Sequence, residues 1–303
     1  MKKDLLGIRE LPKEIIIDIL DEAKKLHPKI LDKTKRDNSL VGTSMTTLFY
    51  ENSTRTKISF LLAGQYLGAL TSDLNVSTSS VQKGETLIDT GLNIDAMGTN
   101  IIVVRHGSTG APHLLAKHVK ASVINGGDGS NEHPTQSLLD IFTMREHLGD
   151  IQGLNVTIAG DINTSRVARS NLFALTKLGA NVTLVGPRTL VSKGLESVLD
   201  NVHVVDDIDE AVKNADVVMG LRIQKERQKE PKIASLREYR HFFGINQHVL
   251  EKAKEKAILM HPGPVNRGVE ITATVLDSPK SVVLEQAGNG IAVRMAILKY
   301  LSN

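Results

Sequence analysis

Short, nearly unbroken apolar runs recur along the chain, each followed by a turn and commonly by a segment with helical patterning. "TTLFYE" (46–51) precedes a helical 54–67, and "NIIVVRH" (100–106) and "ASVINGG" (121–127) precede "PTQSLLDIFTMREHLG" (134–149). "LNVTIAGD" (154–161) precedes a helical 165–178; "ANVTLVGP" (180–187), "NVHVVDD" (201–207) with a helix over 208–215, "ADVVMGLR" (215–222) and "AILMHPG" (257–263) follow. A strand with one wet face alternates polar and apolar residues, whereas these runs do not alternate. They predict parallel sheets covered by helices on both faces, an α/β fold. Pro134 opens the 134–149 helix and Gly149 follows it, the expected asymmetry of helix ends.

The segment "GDIQGLN" (149–155) interrupts the pattern, with about four strands on either side. The 303 residues suit two domains. The prediction is two α/β domains, each a parallel sheet flanked by helices, joined by the 134–149 helix, with the active site in the interdomain cleft. A last helix, roughly 285–301, has no strand after it.

Composition narrows the function. Only 3% of residues are aromatic, which disfavours stacking platforms for single-stranded nucleic acid. The 37 Lys and Arg against 34 Asp and Glu are interspersed, so neither a nucleic-acid surface nor a polybasic membrane patch is expected. With no cysteine, disulfides, thiol nucleophiles and thiolate metal sites are excluded together. "MKKDLLGIRELPKE" lacks the apolar core of a signal peptide, and no run approaches the ~20 residues of a membrane span, so a cytoplasmic protein is expected.

The chemistry concentrates in "FYENSTRTKISF" (49–60). Ser53 stands where a strand passes into a helix, and its hydroxyl can cap that helix. Arg55, however, adds a cation to the positive end of a helix dipole, which is unfavourable unless an anion sits there. Backbone N–H groups, the hydroxyls of Ser53, Thr54 and Thr56, and the Arg55 guanidinium together form a phosphate or carboxylate pocket. The chain has no G-x-x-x-x-G-K-[ST] loop. "VTIAGDINTSRVARS" has the outline of a dinucleotide turn but only Gly160 of the fingerprint, so NAD is disfavoured.

That second turn carries Arg166 and Arg169, Arg105 ends one strand, and Arg222 ends another with Gln224 two residues on. Ligands of open α/β sheets bind at the carboxyl ends of strands. Arg55, Arg105, Arg166 and Arg222 there predict a ligand set with several negative charges. His133, pushed off its helix by Pro134, would stay neutral among arginines and could donate one hydrogen bond to a carbonyl oxygen; Gln136 lies beside it. Lys83 lies in the polar loop "STSSVQKGET" (77–86), and "MHPGPVNRG" (260–268) could wall a ligand or merely stop a strand. No His–carboxylate cluster has metal-ligand spacing, and no metal or cofactor is expected.

In order and spacing, "ENSTRT", "VRH", "GDGSNEHPTQ", "RIQKER", "HPGPVNRG" and "QAGNGI" resemble the aspartate/ornithine carbamoyltransferases over essentially the whole chain. Within that family the chain is similar to the aspartate-accepting members. They transfer the carbamoyl group of carbamoyl phosphate to L-aspartate, the committed step of pyrimidine synthesis. The resemblance implies a carbamoyl phosphate-binding domain over 1–134 and an aspartate-binding domain over 135–303, with the C-terminal helix, about 285–303, packing back on the first. It implies that Ser53, Thr54, Arg55, Thr56 and Arg105 hold phosphate. Thr56, Arg105 and His133 would surround the carbamoyl oxygen, and Gln136 its amino group. Arg166, Arg222 and Gln224 would bind the aspartate carboxylates, with Gly263 and Pro264 beside them. Lys83, accompanied by Ser79 or Ser80, would reach a neighbouring subunit's site, implying a homotrimer. A regulatory chain or a dihydroorotase as further partner is compatible with it.

Ornithine is cationic and would call for an acidic partner where this chain has "RIQKER"; the ornithine enzymes also carry a His-Cys-Leu-Pro turn, and here the turn reads His261-Pro262-Gly263-Pro264. A carbamoyltransferase for another anionic acceptor would be told apart by turnover with a panel of amines. An inactive scaffolding homologue would be free to lose the arginines, and an oxidoreductase would bind nicotinamide.

Overall fold

The computed structural model describes residues 3–32, 36–75, 84–224 and 232–302. The chain divides into two compact units, one of residues 1–139 with 288–303, the other of residues 140–287.

In the first unit a parallel sheet runs in the order β2-β1-β3-β4. Its strands are β1 (Ser44–Phe49), β2 (Leu70–Asn75), β3 (Ile101–His106) and β4 (Ser122–Asp128). The central strands are buried along most of their length, and a core of Leu48, Ile102, Val104, Leu115 and Val123 packs on one face, as the unbroken apolar runs require. Edge strand β2 was not legible as an apolar run: it reads "LTSDLN", and Leu70 is exposed. At the other edge the N-terminal segment joins β4, Leu5 N–H donating to Val123 O and Asn125 N–H to Leu5 O. Helices α1 (Lys13–Leu31), α2 (Thr54–Tyr66), α3 (Leu87–Ala96) and α4 (Ala111–Ala116) complete this part of the chain.

Helix α5 (Pro134–Leu148) leads into the second unit, whose parallel sheet runs β7-β6-β5-β8-β9. Its strands are β5 (Asn155–Ala159), β6 (Asn181–Val185), β7 (Val202–Val205), β8 (Val217–Gly220) and β9 (Ile258–Met260). Helices α6 (Arg166–Lys177), α7 (Ile208–Val212), α8 (Leu236–Phe243), α9 (Gln247–Glu251) and α10 (Ala273–Leu276) belong to it. Helix α11 (Val283–Ser302) begins in this unit and ends in the first, where Lys299 pairs with Glu22 of α1 and the Arg294 guanidinium lies 5.1 Å from the Phe60 ring centroid. None of the described helices is long and apolar enough to cross a membrane.

Both sheets change direction of strand addition beside a central strand. In the first the chain adds β2 on one side of β1 and then β3 on the other; in the second it adds β6 on one side of β5 and later β8 on the other. Such switch points are where α/β sheets open a crevice at their carboxyl ends.

Candidate functional site

In the first unit the switch point lies between β1 and β3, paired so that Phe49 faces Arg105 in register. Residues 51–53 turn the chain out of β1 and into α2. Ser53 occupies the N-cap position with extended backbone (φ −160°, ψ 97°), yet its hydroxyl makes no capping bond; its carbonyl takes the Lys57 N–H instead. The capping role that Ser53 can play in the sequence is therefore not used. No acid stands in the first turn of α2. Thr54 and Arg55 are exposed, while Thr56 is buried. Lys57 is neutralised by Asp73 of β2 at 3.0 Å. A bare positive helix end with exposed donors remains, a suitable seat for a dianion.

Arg105, at the end of β3, is held from two sides. Its Nη1 donates to Gly126 O at 3.2 Å, and its Nε lies 3.4 Å from Glu51 Oε2. Next to it the His106 ring sits 4.8 Å from the Tyr50 ring, and its Nδ1 accepts the Ser108 N–H, so the neutral ring carries its proton on Nε2. Burial holds this imidazole below its usual pKa, against the opposing pull of Glu51 and Asp128.

The loop after β4 brings His133 and Gln136 to the same edge of the sheet. Helix α5 begins at Pro134, leaving His133 outside it, and both side chains are buried, His133 at 4% exposure. Two buried carboxylates hold this loop. Asp128 accepts from Gly110 N–H, Glu132 N–H, Asn125 Nδ2 and Asn131 Nδ2. Glu132 accepts from Ile8 N–H at 2.7 Å and Arg9 N–H at 3.3 Å. Reading the sequence singled out neither: acids in a glycine-rich loop look solvent-facing, and the only signal was their place inside "GDGSNEHPTQ".

In the second unit the switch point lies between β5 and β8. The turn after β5 needs Gly160, at φ +136°, where an added Cβ would meet Leu221 O at 2.8 Å. Here the serine does cap: Ser165 Oγ accepts the Ala168 N–H at 3.1 Å. Arg166, the first residue of α6, is 4% exposed, whereas Arg169 faces solvent, so the structure separates two arginines that looked equivalent in the sequence.

After β8, Arg222 and Gln224 are half-buried with Ile223 buried between them. After β9, His261 Nδ1 accepts the Gly263 N–H at 2.8 Å, Gly263 adopts φ +68°, and Pro264 is exposed. This turn is anchored below by a buried chain: His261 N–H donates to Gln286 Oε1, Gln286 Nε2 to Asp140 Oδ1, and Asn171 Nδ2 to Asp140 Oδ2. Glu270 joins the two turns. Its carboxylate accepts from Ile223 N–H, Asn266 N–H and Asn266 Nδ2. Burial pushes its carboxyl up, while these bonds pull it back.

The first unit thus gathers Ser53, Thr54, Arg55, Thr56, Arg105, His133 and Gln136 at the carboxyl ends of β1, β3 and β4. The second gathers Arg166, Arg222, Gln224, Gly263 and Pro264 at those of β5, β8 and β9. Lys83, Ser79 and Ser80 lie outside the described residues.

A family model described as aspartate/ornithine carbamoyltransferase, carbamoyl-P binding domain, matches residues 3–146, and its Asp/Orn binding domain counterpart matches residues 152–301. The aspartate carbamoyltransferase catalytic subunit of Acetivibrio thermocellus is 56% identical over 300 residues, covering 99% of this chain and 96% of that protein. Aspartate transcarbamoylase from Trypanosoma cruzi, solved with carbamoyl aspartate and phosphate, superposes with a TM-score of 0.89 at 31% identity, covering 98% of this chain and 95% of that one. Ornithine carbamoyltransferase from Pyrococcus furiosus superposes with a TM-score of 0.86 at 32% identity, covering 98% and 96%. The fold itself is therefore shared by enzymes with different acceptors.

Proposed function

The chain belongs to the aspartate/ornithine carbamoyltransferase family, and from that premise we propose that it carries the carbamoyl group of carbamoyl phosphate to the amine of L-aspartate, giving N-carbamoyl-L-aspartate and phosphate, a step of pyrimidine biosynthesis. The observation that carries the choice of acceptor is the pair Arg166, which opens the helix after β5, and Arg222, just past the end of neighbouring strand β8, two cations for an acceptor with two carboxylates.

On this reading residues 1–134 take carbamoyl phosphate and residues 135–303 take aspartate. Ser53, Thr54, Arg55, Thr56 and Arg105 seat the phosphate, and the absence of an acid from the first turn of α2 favours that charge. Thr56, Arg105 and His133 face the carbamoyl oxygen, Gln136 the carbamoyl amino group, and Arg166, Arg222 and Gln224 the aspartate carboxylates, with Gly263 and Pro264 as a wall. The deprotonated amine attacks the carbamoyl carbon and a tetrahedral centre forms. Its oxyanion is stabilised by Thr56, Arg105 and neutral His133. The C–O bond to phosphate then breaks, Arg55 stabilises the charge on the departing oxygen, and the phosphate accepts the amine proton. Catalysis rests on positioning and fixed charge.

The reading extends to a cytoplasmic homotrimer in which Lys83 enters the site of a neighbouring subunit, so that the isolated chain would be inactive; support for this comes from the family resemblance. The test is carbamoyl aspartate formation by wild type and Arg222→Ala. Wild type should turn over aspartate and not ornithine, and the variant should lose about 30- to 1,000-fold in aspartate-dependent rate, the effect of removing one anchor worth about 2–4 kcal/mol. Carbamoylation of ornithine in place of aspartate by the wild-type protein would overturn the assignment.

A further inference from the structure

Glu270 is 1% exposed, and its carboxylate accepts three hydrogen bonds from residues 223 and 266. Oε1 accepts the Ile223 N–H at 2.9 Å and Asn266 Nδ2 at 2.7 Å, while Oε2 accepts the Asn266 N–H at 2.8 Å. An ionised carboxylate satisfies that set; an amide of the same shape does not. The two clients come from different places in the chain. Ile223 is flanked by Arg222 and Gln224 at the end of β8, and Asn266 stands two residues beyond Pro264 in the turn after β9.

Glu270 is itself fixed. Its carbonyl accepts the Ile245 N–H at 2.8 Å, and the next residue, Ile271, is fully buried in the core of the second unit beside Ile245, packed against Gly220 at the end of β8. One anchored side chain therefore sets the separation between the strand end bearing Arg222 and Gln224 and the turn bearing Gly263 and Pro264. A merely structural acid would serve to fill a buried site; among the described residues this one takes donors from both the segment after β8 and the turn after β9.

We propose that Glu270 is a positioning residue for the acceptor: it does not touch substrate, but holds Arg222 and Gln224 in register with the Gly263–Pro264 wall, and so sets affinity for the dicarboxylate. The inference rests on the aspartate-binding role given to those residues above.

The test is steady-state kinetics of Glu270→Gln and Asn266→Ala beside wild type, with carbamoyl phosphate binding measured separately by equilibrium methods. Each carboxylate oxygen faces a backbone N–H, so either orientation of the Gln amide turns its NH2 against one of them. Glu270→Gln should raise the KM for aspartate roughly tenfold or more and leave carbamoyl phosphate affinity within about twofold. Asn266→Ala removes only the side-chain donor and should raise the aspartate KM about threefold with folding intact, which keeps the proposal decidable if Glu270→Gln does not fold. In an Arg222→Ala background Glu270→Gln should raise the aspartate KM by less than it does in wild type, because the part of its effect that acts through Arg222 is already lost. An unchanged aspartate KM in folded Asn266→Ala, or equal losses toward both substrates in folded Glu270→Gln, overturns the positioning role. Failure of the wild-type protein to carbamoylate aspartate would instead overturn the functional reading on which it rests.

Discussion

The turn after β1 in the first unit and the turn after β5 in the second are built alike and finished differently. Each leaves the central strand of a parallel sheet at its switch point, and each enters a helix through a serine with an arginine close behind, Ser53 with Arg55 and Ser165 with Arg166. In the second, the serine hydroxyl caps the helix and the arginine is buried. In the first, the hydroxyl makes no capping bond and the arginine is exposed. On the proposed reading, exposed donors at a helix end would seat the phosphate of carbamoyl phosphate, and a buried guanidinium would hold a carboxylate of aspartate in a fixed direction. Each turn also has buried carboxylates nearby: Asp128 and Glu132 accept hydrogen bonds around the loop before α5, and Glu270 accepts them from the segments after β8 and β9.

The sharpest way to break this comparison is to remove the two arginines in turn. Arg55→Ala should cost about 10²–10³ in kcat with no change in Tm, since an exposed side chain supports little of the fold. Arg166→Ala should raise the aspartate KM and also lower Tm, because it leaves a buried gap; equal Tm values in calorimetry would refute the distinction. Next in size is Gly160→Ala. A Cβ there meets the Leu221 carbonyl one residue before Arg222, and the positive φ adds strain, so a loss of about 2 kcal/mol in denaturant melts is expected, with a raised aspartate KM.

The serines give a smaller and more discriminating contrast. Ser165→Ala should cost about 1 kcal/mol of stability through the lost cap. Ser53→Ala should leave the melting curve unmoved and lower the affinity for carbamoyl phosphate; a stability loss matching that of Ser165→Ala would show that the hydroxyl caps α2 after all.

The smallest effect concerns pH. Burial holds the His106 imidazole below its ordinary 6.5, so as the medium is acidified the unfolded chain takes up this proton first. Its contribution to stability is present above pH 6.5 and is lost as pH falls from there toward the folded pKa; His106→Gln should flatten that part of the stability profile measured by urea melts. Glu270 has the opposite sign. Its carboxyl is raised by burial, so the folded state protonates first and stability from this group rises as pH falls through its folded pKa toward the ordinary 4.5.

Much of this was legible in the chain itself. The apolar runs at β1, β3, β4, β5, β6, β8 and β9 lie where their lack of alternation predicts, and Pro134 marks the start of α5. The residues that end the strands, Arg105 and Arg222 among them, follow from counting along those runs. Edge strand β2 was not legible, because with one side unpaired it has no need of an unbroken apolar sequence. Nor could local pattern distinguish Arg166 from Arg169, which share the first turns of one helix, the former buried and the latter exposed.

By itself, then, the sequence determined the order of elements, the two parallel sheets and the cationic character of their carboxyl ends, because periodicity and helix-end chemistry act over a few residues. Only the tertiary structure decided which serine caps its helix, which arginine is buried, and which acids brace the site. The bond from Ile8 to Glu132 spans 124 residues and that from Ile223 to Glu270 spans 47. Contacts of that reach exist only after the core has packed, and a buried carboxylate is tolerated only where the fold has already gathered donors around it.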